Sequence, residues 1–495
     1  MSKLEFSRFR ASIDLGFVFI GRLGGILITL IFIPQYNILL GSRDFGVFSL
    51  VLSLQSLFLI FDFGLATLIA RDFAQSRGDS ARTAVIIADW RRAELAVAVF
   101  SCVGVTGVAV IVGDAAIVLL AGGLIATQVA LNIAQSGLGA LQHYRLNNAV
   151  ATGGALVRAL VSIIVLRAYG GGLVVLLALQ MGMAGVQLAL VRWMLIERLP
   201  ADARATRHRL IDGLALARLW RDVRLMAAWS LAGALVIQCD KLIVSGWFSV
   251  ESAGRYFLAT TYALTPIAVL GGPLQQYFFP KIVLAGGMPS PAADVLATRF
   301  VHLTVLAVAA PSVVLVVFAD VWLQLWLHDA SVVAAIAPLA RILFVGAAVS
   351  ALGYYPTARL LAAQRTGLLA RLSIMLSALT LTGAILAAVY GSLRSIATIY
   401  AVYFVTASVA LWFAVARHHA ASTFRVIVLH DLVLLTVAIV VPVALATAEL
   451  QALLSPIVAA FAAALVGGVW TCVVGSIVLL GYGDRRDRAA AYETE

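Results

Sequence analysis

At 495 residues, with 62% hydrophobic and only 12% charged side chains and a mean hydropathy of +1.01, the chain lies far from soluble globular composition, in which about a quarter of residues are charged. The net charge of +11 raises nucleic-acid binding, but the basic residues recur between apolar stretches, as orientation signals do, so nucleic acid is set aside as a partner. What these numbers leave is an all-α polytopic membrane protein with the lipid bilayer as its solvent.

A spanning helix takes about 20 apolar residues. That ruler gives about 14 candidates, and an expected total of 12 to 14 helices, at 14–40, 45–70, 93–112, 115–140, 149–168, 172–196, 225–248, 253–280, 299–325, 333–361, 368–390, 395–415, 427–447 and 454–482. The opening MSKLEFSRFR has the charge of a signal-peptide start, yet the apolar segment behind it is too long and no small-residue cleavage site follows, so a retained first anchor is expected. With the N-terminus in the cytoplasm, about 26 of the 35 Lys and Arg fall on the cytoplasmic side. Arg43, Arg167, Arg255 and Arg394 fall outside, and Arg22, Arg158, Arg192, Lys241 and Arg341 fall within spans. Both termini are therefore expected in the cytoplasm. Every outer loop on this map is short, which leaves no room there for a folded catalytic domain.

The expected organisation is a first lobe of six helices (1–196), a basic amphipathic cytoplasmic linker (197–224), a second lobe of six helices (225–415) and an additional helix pair with a cytoplasmic tail (416–495). The linker carries seven arginines from Arg198 to Arg224 and spaces Leu216, Leu219, Trp220 and Val223 along one helical face. It suits either a helix lying in the anionic interface or a loop that only sets orientation. Laying the stretch from Leu39 over that from Trp247 matches Gly46 with Gly254, Phe48 with Tyr256, Leu50 with Leu258 and Gly64 with Gly272. The shift of roughly 208 residues preserves orientation in the bilayer and reads as a parallel repeat.

Polar residues within the spans are the candidates for function. In the fourth span Gln128, Asn132, Gln135, Gly139 and Gln142 share one helical stripe, which serves as interhelical glue or as a hydrated wall. Arg22 and Arg158 sit too far from their span ends to snorkel easily, and Asp62 is the natural intramembrane partner for one of them. Two arginines against one carboxylate leave an excess of positive charge, which points to anion binding. In the second half, Ser230, Gln238, Lys241 and Ser245 recur at helical spacing with Asp240 about 100° away. Arg341 is a further deep cation, and Tyr354 and Tyr355 precede Pro356, which is expected to kink its helix. The tyrosines suit sugar stacking or ordinary packing. Gly21 and Gly25 form a small-xxx-small step for close helix approach.

Enzyme chemistry is not expected. No phosphate-binding G-x-x-x-x-G-K-[ST] loop occurs, no nucleophile and base come together, and adjacent His418 and His419 face different sides of a helix, so catalytic residues, metal and cofactor are all expected to be absent. Cys102, Cys239 and Cys472 show no pairing or ligand spacing and read as packing residues.

The segments LGSRDFGVFSL and DFGL (Asp62 to Leu65), then CDKLIVSGWFSVESAGRYFLATTY from Cys239, ending in FFPK at Lys281, resemble the polysaccharide flippases, the Wzx-type O-antigen and exopolysaccharide repeat-unit exporters of the multidrug/oligosaccharidyl-lipid/polysaccharide (MOP) superfamily. The likeness covers most of the chain to about residue 415; its motifs occur in part in lipid II flippases too, and the apolar pair after Phe424 departs from the common twelve-helix form. The resemblance implies two six-helix lobes in a V around a central cavity. It also implies translocation of undecaprenyl-pyrophosphate-linked oligosaccharide across the bacterial inner membrane, driven by a proton or sodium gradient, with a polymerase and a chain-length protein as partners. On that reading Arg22, Arg158, Lys241 and Arg341 bind pyrophosphate or anionic sugar, Gln128, Asn132 and Gln135 line the glycan path, and Asp62 and Asp240 couple to the ion. The competing readings are a drug or cation antiporter, which needs acidic residues more than central arginines, a lipid II flippase, and a membrane glycosyltransferase or polymerase, which the short outer loops oppose.

Overall fold

The computed structural model describes residues 3–60, 83–92, 94–95, 99, 114–141, 144–199, 202, 231, 233–284, 291–363, 365–418 and 422–492, with side chains described from residue 24 onward apart from several helix ends. Within these residues the fold is helical, with no strand. Apolar surroundings leave a backbone no water to bond, so each spanning segment satisfies its own N–H and C=O groups as a helix. Among the described residues, eleven helices are long and apolar enough to cross a membrane. The first of these, Gly24–Leu59, holds two of the expected spans. It breaks at Gly41, whose φ of 75° and ψ of 170° suit a residue without a side chain. Of the remaining expected spans, 93–112 and 225–248 lie largely or partly outside the described residues. The all-α polytopic architecture expected from composition is the architecture observed.

The chain divides into two compact units, Met1–Gly254 and Arg255–Glu495. The first contains α1 (Lys3–Ile60), α2 (83–92), α3 (Ala115–Ala140), α4 (Tyr144–Tyr169), α5 (Gly172–Glu197) and α6 (233–247). Here α3 packs along α5, and α1 along α4. Val129, Ile133, Val191 and Leu195 form the core between them with Trp90 of α2. The start of α3 is capped by Asp114, whose carboxylate accepts from the backbone N–H of Ala116 at 2.8 Å. Almost all of the basic linker, including Leu216, Leu219, Trp220 and Val223, lies outside the described residues.

In α6, Asp240 and Lys241 are both buried and close on each other, Nζ to Oδ1 at 2.8 Å, while Nζ also donates to the Ile237 carbonyl at 2.9 Å. The backbone N–H of Lys241 donates to the same carboxylate at 2.9 Å. Each charge thus supplies the other's counter-charge where water is scarce.

The second unit contains most of α7 (Val250–Leu284), then α8 (Pro291–Val317), α9 (Ala319–Leu327), α10 (Ala330–Ala351), α11 (Tyr354–Ala362), α12 (Thr366–Tyr390), α13 (Leu393–His418), α14 (Ser422–Leu453) and α15 (Pro456–Tyr492). The helix expected to kink at Pro356 breaks earlier, at Leu352 and Gly353. Pro356 then falls in the first turn of α11, where its missing N–H would have had no helical partner. Tyr355 is 4% exposed and packs edge-on against Phe300, with ring centroids 6.1 Å apart, and beside Trp412 at 5.5 Å. Packing, rather than sugar stacking, accounts for its position. The terminal pair α14 and α15 lies against α8, and Phe461 of α15 packs on Trp322 of α9 at 5.1 Å. Leu379, Leu465 and Ile477 remain widely exposed, as apolar residues of spanning helices do where they face lipid.

The close approach expected at Gly25 is found one residue earlier. A side chain at Gly25 would meet nothing within 4 Å, whereas a Cβ at Gly24 would lie 2.8 Å from Cγ2 of Thr152 in α4. One residue turns a helix by about 100°, enough to exchange a lipid-facing position for a contact.

Thermal unfolding of four variants checks this packing and the buried ion pair. At Gly346 of α10 an added Cβ would lie 2.6 Å from the backbone Cα of Ala401, so Gly346→Ala is expected to destabilise the detergent-solubilised protein by about 1–3 kcal/mol. Gly367→Ala, which meets nothing within 4 Å, should leave the melting temperature unchanged or slightly raised. Lys241→Met strands the Asp240 carboxylate and is expected to cost about 3–5 kcal/mol, most of it recovered in the double variant Asp240→Asn with Lys241→Met, read by the same thermal unfolding.

Candidate functional site

The site of greatest chemical interest lies within the first unit and is built around α4. Ala155, Arg158, Ala159 and Ser162 fall at i, i+3, i+4 and i+7, which places them on one face of that helix. Its neighbours come close through small residues: α1 at Gly24, and α5 where Gln187 lies over Gly154 and donates to the Val150 carbonyl at 2.9 Å. The alanines flanking Arg158 fill little of the space so enclosed. A cavity of about 160 Å³ remains, lined from both sides of the Gly41 break in α1 and from α3, α4 and α5.

Among the described residues its polar lining consists of Thr29, Tyr36, Gln55, Gln128, Arg158 and Gln180, none of them a carboxylate. Gln180 Nε2 donates to the Tyr36 hydroxyl and to Ser162 Oγ, both at 3.3 Å, and so ties α5 to α1 and α4. The Thr29 hydroxyl donates to the Gly25 carbonyl at 3.0 Å. Arg158 Nη1 is buried and has no hydrogen-bond partner among the described residues. Three other cations of this unit face carboxylates. Arg192 pairs with the buried Glu94, Arg92 with Asp89 at 2.6 Å, and Lys241 with Asp240.

The residues singled out from the sequence are distributed as follows. Arg158 and Gln128 line the same cavity, whereas Asn132 and Gln135, half-buried farther along α3, do not. Lys241 and Asp240 are closed on each other, so a ligand role for either requires that pair to open. Arg341 in the second unit donates to Asp320 at 2.5 Å and to the Val316 carbonyl at 3.2 Å, with both charged side chains more than a third exposed. The side chain of Arg22 and the whole of Asp62 lie outside the described residues. Gln55, Gln180 and Tyr36 were not among the sequence candidates. The available signal was a solitary amide within each of the apolar runs VLSLQSLFLI and LLALQMGMAG.

The second unit has a larger cavity, about 350 Å³, between α8, α10 and α14. Its only hydroxyls, Ser312 and Thr436, are spent on carbonyls of their own helices at 2.6 and 2.7 Å. It therefore suits hydrocarbon and offers nothing to a charged group.

No family model matches the sequence, and no curated protein matches it. Solved structures do match the fold. A lipid II flippase, MurJ, in an inward closed conformation superposes with a TM-score of 0.72 at 10% identity, covering 95% of this chain and 99% of that one. An inward-facing multidrug resistance MATE family transporter of the MOP superfamily gives 0.58 at 12% identity, over 81% of this chain and 100% of that one. A MOP superfamily transporter from Pyrococcus furiosus, described as having a binding pocket of reverse polarity that suggests a different function, gives 0.55 at 12% identity, over 82% and 94%. This multi-pass membrane protein has the fold of the solved MOP superfamily transporters.

Proposed function

We propose that the chain is a flippase that carries undecaprenyl-pyrophosphate-linked oligosaccharide repeat units from the cytoplasmic to the periplasmic leaflet of the bacterial inner membrane, for surface polysaccharide synthesis, with both termini in the cytoplasm. The observation that carries the proposal is the Arg158 guanidinium, whose buried Nη1 has no hydrogen-bond partner, in an amide-lined cavity of a membrane-spanning unit with no carboxylate among its described lining residues. A pyrophosphate headgroup needs fixed cations inside the membrane and its sugars need hydrogen-bonding walls, whereas an exporter of organic cations needs the opposite charge. Arg158 is assigned to the anionic headgroup and Gln128 to the polar wall, with Asn132 and Gln135 continuing that wall along α3. Arg22 and Arg341 are further headgroup contacts in this scheme, as is Lys241 once released by protonation of Asp240, so that Asp240 and Asp62 link the cycle to a proton or sodium gradient.

One observation favours lipid II itself as the cargo. The lipid II flippase fold covers 95% of this chain, against 81% for the MATE transporter. Both cargoes are lipid-linked, and both contrast with a drug antiporter.

The test is translocation by the purified protein in vesicles, with lipid-linked oligosaccharide and lipid II supplied separately. Oligosaccharide is expected to move, and Arg158→Ala is expected to slow it by about tenfold or more, a loss of at least about 1.4 kcal/mol of transition-state stabilisation, while the variant still inserts in the membrane. Collapsing the ion gradient should slow transport in the native protein. Preferential binding of organic cations over lipid pyrophosphates would assign the chain to the antiporters instead.

A further inference from the structure

We infer that Glu94 is a proton-binding site of the transport cycle: a proton settles on its buried carboxylate, breaks the hydrogen bonds to Arg192 and frees that guanidinium to leave the core. The inference rests on the reading of the chain as an ion-coupled transporter and not on which lipid is the cargo.

Glu94 is helical and follows α2, one turn on from Trp90. Its carboxylate accepts from Arg192 of α5 at both oxygens, from Nε to Oε1 at 3.3 Å and from Nη2 to Oε2. The same guanidinium lies 6.0 Å from the centroid of the Trp90 ring, within reach of its π face. Trp90 is buried against Val191 and Leu195 of α5, so the ion pair ties α2 to α5 beside apolar packing.

The two charges are unequally enclosed. The Glu94 side chain is 7% exposed and that of Arg192 is 42% exposed, whereas Lys241 and Asp240 are both almost fully enclosed. A pair built in this way comes apart by moving one arm. Arg192 stands in the last two turns of α5, which ends at Glu197, close enough for its long stem to carry the guanidinium to the membrane interface. Glu94 has no such exit. A lone carboxylate in apolar packing is too costly to persist, so departure of Arg192 and arrival of a proton go together. The released state carries one more positive charge than the paired state, and that charge is on the exposed arm.

The neighbouring groups leave this exchange undisturbed. A further charge acting on Glu94 is Arg91, exposed on the same helical stretch, while Arg92 is turned to Asp89 at 2.6 Å. From α1 and α3 the core around Trp90 receives Leu54, Phe58, Ile125 and Val129, all apolar. Falling pH therefore fills the site and favours release, and rising pH favours the pair.

Infrared difference spectroscopy on the purified full-length protein in membranes, titrated from about pH 8 to about pH 5, reads the site directly. A protonated-carboxyl band is expected to grow as pH falls, to be lost in Glu94→Gln and to persist in Asp240→Asn, which separates it from the other buried pair. Glu94→Gln strands no carboxylate and is expected to fold; should it not, Glu94→Asp is the second variant, in which the band is retained with a shifted midpoint. In vesicles, the acceleration of lipid-linked oligosaccharide transport by an imposed pH gradient is expected to be lost in Glu94→Gln and partly kept in Glu94→Asp, a response that a purely structural brace would not give. Absence of a titrating band assignable to Glu94, a gradient response in Glu94→Gln equal to that of the native protein, or transport that follows sodium alone would each overturn the inference. Any of these with oligosaccharide still transported would leave the cargo reading standing, and the Glu94 band without oligosaccharide transport would support the proton site while removing that cargo.

Discussion

A charge inside a bilayer has to bring its partner with it, because the surrounding hydrocarbon supplies neither water nor counter-ion. The described residues meet this constraint repeatedly: Lys241 closes on Asp240 and Arg192 on Glu94. Arg158 does not follow the pattern. Its guanidinium lines a polar cavity with no carboxylate among the described lining residues, and its Nη1 has no hydrogen-bond partner there. On the proposed reading, this difference between paired and unpaired cations separates a charge held in a pair from a substrate-binding one.

The cavity exists because backbone packing is tight around it. Gly24 and Gly154 let α1 and α5 approach α4, and alanines on either side of Arg158 keep that face of the helix small. The network running from Gln180 to Tyr36 and Ser162 braces three helices across the same space. Under the proposed function rigid walls matter, since a preorganised donor set meets an anionic headgroup without reorganising. The larger cavity of the second unit shows the contrast. Its described hydroxyls are already committed, and its chemistry is that of hydrocarbon.

Much of the architecture was legible in the sequence because spanning helices are set by apolar length. The break within the first long helix was readable as well, since LGSRDFG interrupts the hydrophobic run at a glycine that takes a positive φ. Arg158 and Gln128 could be picked out because polar residues are conspicuous in apolar spans. Gln55 and Gln180 passed unnoticed because a single amide carries no periodic signal. The stripe of Gln128, Asn132 and Gln135 shows the limit of periodicity. It defines a face of α3, but how far a cavity extends along that face depends on what the neighbouring helices place opposite. The sequence marks Arg341 as a deep cation, but its partner Asp320 stands on a separate short helix that no spacing rule connects to it. Gly24 and Gly25 differ by one position, and only the approach of Thr152 shows which of them faces a neighbour.

The central claim is that the space beside Arg158 is wet and reachable by small polar solutes. In a cysteine-free background, with Cys102, Cys239 and Cys472 replaced, the direct measurement compares Gln128→Cys with Val129→Cys, the latter at a position of 0% exposure in the helical core. The account predicts that a small hydrophilic thiol reagent labels the first variant in intact membranes and leaves the second unlabelled. Failure to label Gln128→Cys in a folded protein, or equal labelling of both, would contradict it.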